Sequence, residues 1–174
     1  APGFEMALMK AVRGAEIGMD TLNRKDSSGI PVRKRLKRVD DRRLFTIFEA
    51  LKDGVEVEEI HQITKIDPWF LAKLRNLAGF EWDLERAGSL SPEAYEEGKR
   101  LGYTDEALLR LSYNKELPVE AGQAVYKMVD TCGAEFDAET PYFYASFYED
   151  CESRAFPRSG RPVIMGMGAG PSRM

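Results

Sequence analysis

Short apolar stripes at helical spacing, each introduced by a helix-start signal, constrain the fold of this sequence most. They fill residues 40–112. Asp67-Pro68 and Ser91-Pro92 each join a side chain that caps a helix to a proline that suits the first helical turn, and Thr104 begins a third segment in the same way. These signals predict four or five short helices with tight connections, whose stripes a helix-on-helix layer would bury.

The apolar positions of these stripes are the candidate core, because residues three and four apart lie on one face of a helix. A further short helix is predicted near the amino terminus, closing near Gly14, with Phe4, Leu8, Ala11 and Val12 on its inner face. We predict that the core of residues 40–112 is formed by Phe45, Phe48, Ile60, Ile66, Trp69, Phe70, Leu74 and Leu108.

Composition excludes several classes of protein. The 174 residues carry 25 Lys and Arg against 29 Asp and Glu, and 43% of them are hydrophobic, which is too high a fraction for a disordered chain. The sequence has no run of about 18 apolar residues, so it predicts no membrane-spanning helix. The first 16 residues lack the pattern of a signal peptide, and two cysteines with no disulfide or zinc spacing favour a reducing, cytoplasmic setting.

The character of the chain changes towards its end. Residues 129–153, the acidic stretch, hold seven Asp and Glu and no Lys or Arg. They also contain the aromatic run 142–148, which has strand propensity. Val163–Met165 reads as a second short strand before a Gly-rich turn. The predicted fold class is therefore mainly α, an irregular multi-helix domain with one or two short strands near the carboxyl terminus.

Several features suggest chemistry but have simpler structural interpretations. The Gly-rich segment GMGAGP would bind phosphate only at a helix amino terminus, and no helix follows it. Cys132 would need a base, and His61 is the single histidine of the chain, in a predicted helix beside an apolar stripe. The acids at 135, 137 and 139 would need further ligands to bind magnesium. We predict no catalytic, cofactor-binding or metal-binding residue in this chain.

A basic run is the strongest charged feature. Residues 33–43 contain seven Lys and Arg. They suit nucleic acid in charge, but no base-reading motif accompanies them and the whole chain is acidic. The alternative is pairing with an acidic surface, such as the acidic stretch or a neighbouring subunit.

Four motifs, in order, resemble the central part of the large subunit of carbamoyl phosphate synthetase. They are IHQITKIDPWFL at 60–71, LGYTDEAL at 101–108, YKMVDTCGAEFDAETPYFYASFYEDCE at 126–152 and VIMGMGAGPSRM at 163–174. The resemblance implies that residues 1–16 are the closing helix of a preceding ATP-grasp half. It further implies that residues 17–156 are a helical oligomerization domain and that residues 157–174 begin the following half.

What the resemblance implies for function is a connector that performs no chemistry. The parent would be a ligase that makes carbamoyl phosphate from bicarbonate, glutamine-derived ammonia and two ATP, for arginine and pyrimidine synthesis. ATP and Mg or Mn would bind in the halves that this chain lacks, so the chain alone is expected to be inactive. Its partners would be the other domains of the large subunit, further copies of itself and, for the parent, a glutaminase small subunit, but no membrane and no nucleic acid.

The predicted contact residues towards neighbouring domains are Tyr142, Phe143, Tyr144 and Phe147. The alternative function is an independent helical module whose basic 33–43 surface binds nucleic acid or an acidic protein.

Overall fold

A computed structural model of the chain describes residues 1, 3–24, 26–118, 124–129, 131–132, 135 and 143–147. Over these ranges, seven helices precede one two-stranded sheet, which confirms the predicted mainly α class. The helices are α1 (Phe4–Gly14), α2 (Val32–Arg35), α3 (Arg43–Lys52), α4 (Val57–Thr64), α5 (Pro68–Ala87), α6 (Pro92–Leu101) and α7 (Asp105–Leu111), and the strands are β1 (Val125–Met128) and β2 (Phe143–Ser146). Five helices, α3 to α7, occupy the region in which four or five were predicted.

The three helix-start signals act as predicted. The Asp67 carboxylate accepts a hydrogen bond from the backbone N–H of Trp69 at 2.8 Å, at the start of α5. The hydroxyls of Ser91 and Thr104 accept equivalent bonds, both at 3.2 Å, at the starts of α6 and α7. Each cap satisfies a backbone donor that the first helical turn leaves without a partner, so these boundaries follow from local sequence.

Helix α5 is the centre of the fold. Its 20 residues give it a length of about 30 Å, and it packs against α1, α3, α4, α6 and α7. Leu71, Leu74 and Leu77 repeat at helical spacing and are buried along its inner face. A single long helix that contacts five others explains how several short stripes share one core.

Most of the predicted core residues lie in that core. Phe45, Phe48, Ile60, Leu74 and Leu108 are buried, and Ile66 is half-buried against them.

The prediction was wrong for two aromatic residues. Trp69 is 52% exposed and Phe70 is 45% exposed. Both lie in the first turn of α5, and there they contact Phe4 of α1 instead of the interior. Trp69 lies two residues before Leu71, about 200° around the helix from it, so the helical period itself turns Trp69 away from the buried face. Phe70 shares the face of Leu74 and Leu77, but at the first turn of α5 that face meets Phe4.

The inner face of α1 also differs from the prediction. Met6 and Met9 are buried along with Val12, whereas Ala11 is exposed and Leu8 is half-buried. Helix α1 lies against both α5 and α6, and the face that it buries there carries Met6 and Met9. Methionine side chains are flexible and fill irregular space well. Helix α1 therefore shares one core with helices on the other side of the predicted boundary at residue 16.

The end of α6 is shaped to receive α1. Gly102 ends α6 in the left-handed region, with φ of 96°. A Cβ atom at this position would lie 2.9 Å from the Cα of Met6, so only glycine allows the approach. The guanidinium of Arg13 donates a hydrogen bond to the Gly102 carbonyl at 2.8 Å and ties the two helices together.

A short antiparallel ladder follows the helices. Strand β1 pairs with β2, with Val125 opposite Ser146 and Met128 opposite Phe143. Strand β2 lies within the aromatic run that predicted a strand, whereas β1 was not predicted. The ladder is tied to α6 because Arg100 donates a hydrogen bond to the Phe147 carbonyl at 3.1 Å. The predicted strand Val163–Met165 lies outside the described residues.

Candidate interaction surfaces

A charged cluster runs from the buried side of α5 to the surface, with Glu81 and Tyr103 buried, Lys52 and Glu85 half-buried and Asn23 exposed. Glu81 of α5 is fully buried, and Lys52 of α3 reaches its carboxylate at 3.0 Å. Asn23 donates to the same carboxylate at 2.6 Å, and the hydroxyl of Tyr103 donates to it at 3.0 Å. Lys52 also contacts Glu85 at 2.8 Å. We call these five residues the buried polar cluster.

The electrostatics of the buried polar cluster favour a fixed ionic state. Burial raises the pKa of Tyr103 well above its usual range, and the neighbouring Glu81 carboxylate raises it further. Burial alone would lower the pKa of Lys52, but the Glu85 and Glu81 carboxylates outweigh that effect and raise it. Because the groups of the cluster bind one another across α3, α5 and the connections beside them, the cluster holds the helices in register.

A group of partly exposed aromatic rings lies where α1 meets the start of α5. The rings of Phe4, Trp69 and Phe70 contact one another, with centroids 5.0 to 5.6 Å apart. The ammonium group of Lys73 lies over the Trp69 ring at 5.5 Å. We call the three rings the aromatic surface.

The aromatic surface has the composition of a protein contact. Large aromatic side chains are enriched at the centres of interfaces, where they contribute much area at low cost in conformational entropy. Sequence reasoning assigned Trp69 and Phe70 to the core and so missed this surface. A signal was present for Trp69, since it lies about 200° around α5 from Leu71 and therefore off the face of the leucine stripe.

The predicted contact residues near the end of the chain lie partly within the described structure. Phe143, Tyr144 and Phe147 are half-buried, and Tyr142 lies outside the described residues. The Phe147 ring meets Tyr95 edge-on at 6.5 Å, and the Lys99 ammonium lies 5.4 Å from its centroid. Phe147 thus contacts α6 of its own chain. A contact between these residues and neighbouring domains stays a prediction.

The basic run divides into two groups. Arg33 makes two hydrogen bonds with Glu59, at 2.6 and 3.2 Å, and Arg35 is buried against Glu49. Arg43 donates to a backbone carbonyl of α4 at 3.0 Å. The remaining four cations are exposed, and none forms a salt bridge with another described residue. We call Lys34, Lys37, Arg38 and Arg42 the basic patch.

The sequence features that suggested chemistry do not converge on one site. His61 lies in α4, where its Nδ1 is 2.7 Å from the Ile66 carbonyl oxygen. Cys132 is exposed beyond β1, 3.9 Å from the Thr131 hydroxyl. Glu135 is exposed, whereas the acids at 137 and 139 and the Gly-rich end lie outside the described residues. Among the residues that the structure describes, no group of three His, Cys, Asp or Glu side chains is placed to hold a metal ion.

No helix in the described part of the chain is both long enough and apolar enough to cross a bilayer.

Comparison with known proteins gives one consistent family. The family model described as the oligomerisation domain of the carbamoyl-phosphate synthetase large chain matches residues 2–127. Curated relatives are carbamoyl phosphate synthase large chains. The protein of Archaeoglobus fulgidus is 41% identical over 187 aligned residues, and that of Agathobacter rectalis is 39% identical over 180. That of Methanothermobacter thermautotrophicus is 38% identical over 177.

Each alignment covers 98% of this chain. The chain spans only 17% of the length of the first two relatives and 16% of the third. The match with the family model includes all seven helices and most of β1.

Proposed function

Since the chain belongs to the family of the oligomerisation domain of the carbamoyl-phosphate synthetase large chain, we propose that it connects and associates without performing chemistry. The observation that carries this proposal is the direction in which its functional groups face. The central charged groups bind one another inside the helical core, while the exposed features are an aromatic surface and a basic patch. Such exposed features are suited to contact with other proteins.

We further propose the setting of the longer protein. It would be an ATP-dependent ligase of the cytoplasm that makes carbamoyl phosphate from bicarbonate, glutamine-derived ammonia and two ATP, for arginine and pyrimidine synthesis. ATP and Mg or Mn would be held by other parts of that protein, and a glutaminase subunit would supply ammonia. The names of the relatives support this assignment, and the small share of their length that this chain spans leaves most of that length for the chemistry.

The aromatic surface fits a contact with another part of the same longer chain. Permanent interfaces are more apolar than transient ones, because their surfaces are never exposed to water for long. Trp69 and Phe70 are each about half exposed, and only the single ring of Phe4 covers them from α1. A domain joined permanently to this one would cover that area.

The proposal of a non-catalytic domain is tested by incubating the purified chain with ATP, Mg²⁺, bicarbonate and ammonia. We expect neither ADP nor carbamoyl phosphate above a protein-free blank. An intact synthetase of the same family, assayed in parallel, is the positive control. Reproducible turnover that grows with the concentration of the chain and persists through a further purification step would contradict the proposal.

A further inference from the structure

The outer side of α5 carries a regular row of residues that the described fold leaves largely in contact with solvent. Residues 72, 75, 79, 82 and 86 follow one another at alternating spacings of three and four, so they lie along one side of the helix. Arg75, Gly79, Trp82 and Arg86 are exposed, and Ala72 is half-buried. We call these five residues the outer row. Alternating spacings of three and four are the pattern by which one helix packs along another.

Gly79, in the middle of the outer row, is a glycine that the described fold does not require. Its backbone is ordinary α-helix, and a Cβ atom there would meet nothing within 4 Å. Glycine weakens the interior of a helix relative to alanine, so Gly79 lowers the stability of α5 without improving a contact among the described residues. What glycine does allow is the close approach of another chain from outside.

A groove beside Gly79 adds room for the side chains of a partner. It lies between α5 and α6, has a volume of about 640 Å³ and includes Gly79 in its lining. Its apolar lining comes from both helices, with Phe80 and Leu84 from α5 and Ala94 and Leu101 from α6. A gap at Gly79 that opens into an apolar groove fits the apolar ridge of a second helix.

Two arginines give the outer row its charge. Arg75 and Arg86 are three helical turns apart, about 16 Å along α5, and neither forms a salt bridge with a described residue. The Arg86 guanidinium lies 4.7 Å from the centroid of the Trp82 ring, which is 49% exposed. Asp83 and Glu97 line the groove, so the carboxylates of a partner would meet the arginines and its apolar side chains would enter the groove.

The same charges argue against a second copy of α5 as the partner. An antiparallel pair that placed each Trp82 opposite the other Gly79 would also place Arg75 opposite Arg86. A parallel pair in register would place each arginine opposite itself. Like charges that face each other across a contact weaken it, so the outer row fits a different helix, one that carries carboxylates.

We propose that the outer row of α5 and the groove beside it bind an acidic amphipathic helix from the rest of the longer protein. That helix places two carboxylates about three turns apart against Arg75 and Arg86, and it lays an apolar ridge on Gly79. Since the chain spans 17% of the length of two relatives, most of the longer protein lies outside it. The inference therefore rests on the proposed function and identifies the chemistry of one partner segment.

The exposure of Trp82 is the quantity that tests this contact. Hydroxyl-radical footprinting with mass spectrometry measures how fast Trp82 is oxidised in this chain alone and in the complete large chain that contains it. A dosimeter peptide in both samples corrects for the radical dose. We expect the oxidation rate of Trp82 to be at least about fivefold lower in the complete large chain, because the partner helix excludes water from its ring.

Two substitutions test the shape and the charge of the contact separately. Gly79→Leu fills the gap that the partner helix needs, and Arg75→Glu places a carboxylate against its acidic side. We expect each to remove most of the protection of Trp82, expressed as the ratio of its oxidation rates in the two proteins. Gly14→Leu is the matched control, because Gly14 is an exposed glycine of α1 whose Cβ would also meet nothing within 4 Å. It should leave that ratio unchanged, and circular dichroism of each variant of this chain checks that its helices are intact.

Trp69 of the aromatic surface separates this inference from the proposed function. Protection of Trp69 in the complete large chain without protection of Trp82 overturns the inference and leaves the proposed function standing. Equal oxidation of both tryptophans in the two proteins contradicts both. Protection of Trp82 that either Gly79→Leu or Arg75→Glu fails to relieve also overturns the inference. Protection that arises in this chain alone and grows with its concentration would make a second copy the occupant and overturn it as well.

Discussion

Glu81 is the residue whose removal tests the core most sharply, because it is a buried anion that three donors approach. An amide at this position can accept from one side only, so Glu81→Gln would turn an NH₂ group towards either Tyr103 or the pair formed by Lys52 and Asn23. We expect a loss of about 2–4 kcal/mol in the free energy of unfolding. Urea denaturation followed by circular dichroism measures it.

The control for that prediction is an ion pair at the surface. Glu59 binds Arg33 through two hydrogen bonds, but both side chains are exposed to solvent. Glu59→Gln should leave the urea midpoint within error of wild-type, because water replaces the lost contact. Equal losses for the two variants would show that the buried polar cluster has no special weight in the fold.

Tyr103 gives the fold a dependence on alkaline pH. Its pKa is raised in the folded chain by burial and by Glu81, so the unfolded chain loses the tyrosyl proton first as pH rises above about 10. The stability that Tyr103 contributes is thus fully present below that pH and declines above it. We expect Tyr103→Phe to make the unfolding free energy fall less steeply between pH 9 and 11, at a cost of about 1 kcal/mol at neutral pH. Identical pH profiles for the two proteins would contradict the assignment.

At the scale of elements, Gly→Ala substitutions at two helical positions distinguish the effect of side-chain packing on stability from the effect of helix propensity. A Cβ atom at Gly98 of α6 would lie 2.5 Å from Leu108 Cδ2 and 3.0 Å from Phe80 Cζ, whereas one at Gly79 of α5 would meet nothing within 4 Å. Gly98→Ala should destabilise the chain by about 1–3 kcal/mol, because α6 and α7 must separate. Gly79→Ala should stabilise it by about 0.5–1 kcal/mol through helix propensity. Thermal unfolding measures both, and a stabilising Gly98→Ala would refute the close packing of α6 on α7.

The elements also show which parts of the structure a sequence can predict. The starts of α5, α6 and α7 were predicted because Asp67, Ser91 and Thr104 act on their own next turn, through contacts that lie within three residues. Strand β1 was missed, because a four-residue strand is defined by its distant partner β2 and carries little pattern of its own.

The same distinction explains the candidate surfaces. Trp69 and Phe70 were assigned to the core as large aromatic residues beside the leucine stripe of α5. Trp69 lies about 200° around the helix from Leu71, and Phe70 lies in the first turn, where it contacts Phe4 instead of the interior. The buried polar cluster joins residues 23, 52, 81, 85 and 103, whose separation in the sequence gives no local signal. The basic run was recognised, but its division into fold-stabilising and exposed cations depends on where Glu49 and Glu59 lie in space.

At the scale of the whole molecule, the described part of the chain is a helical core built around one long helix, with Glu81 and Tyr103 buried at its centre and its aromatic and basic features exposed. Hydrogen bonds between buried polar groups make the core rigid, and exposed surfaces allow the domain to bind other proteins. This is the arrangement that a connecting and associating domain needs, and it requires no catalytic group in the described part of the chain.

Light scattering of the purified chain across a concentration series up to about 1 mM tests that account most directly. The account predicts a mean mass that rises from the 19.6 kDa of one chain towards twice that value as concentration increases. A mass that stays at 19.6 kDa over the whole series, with the helices intact, would contradict self-association as a property of this domain.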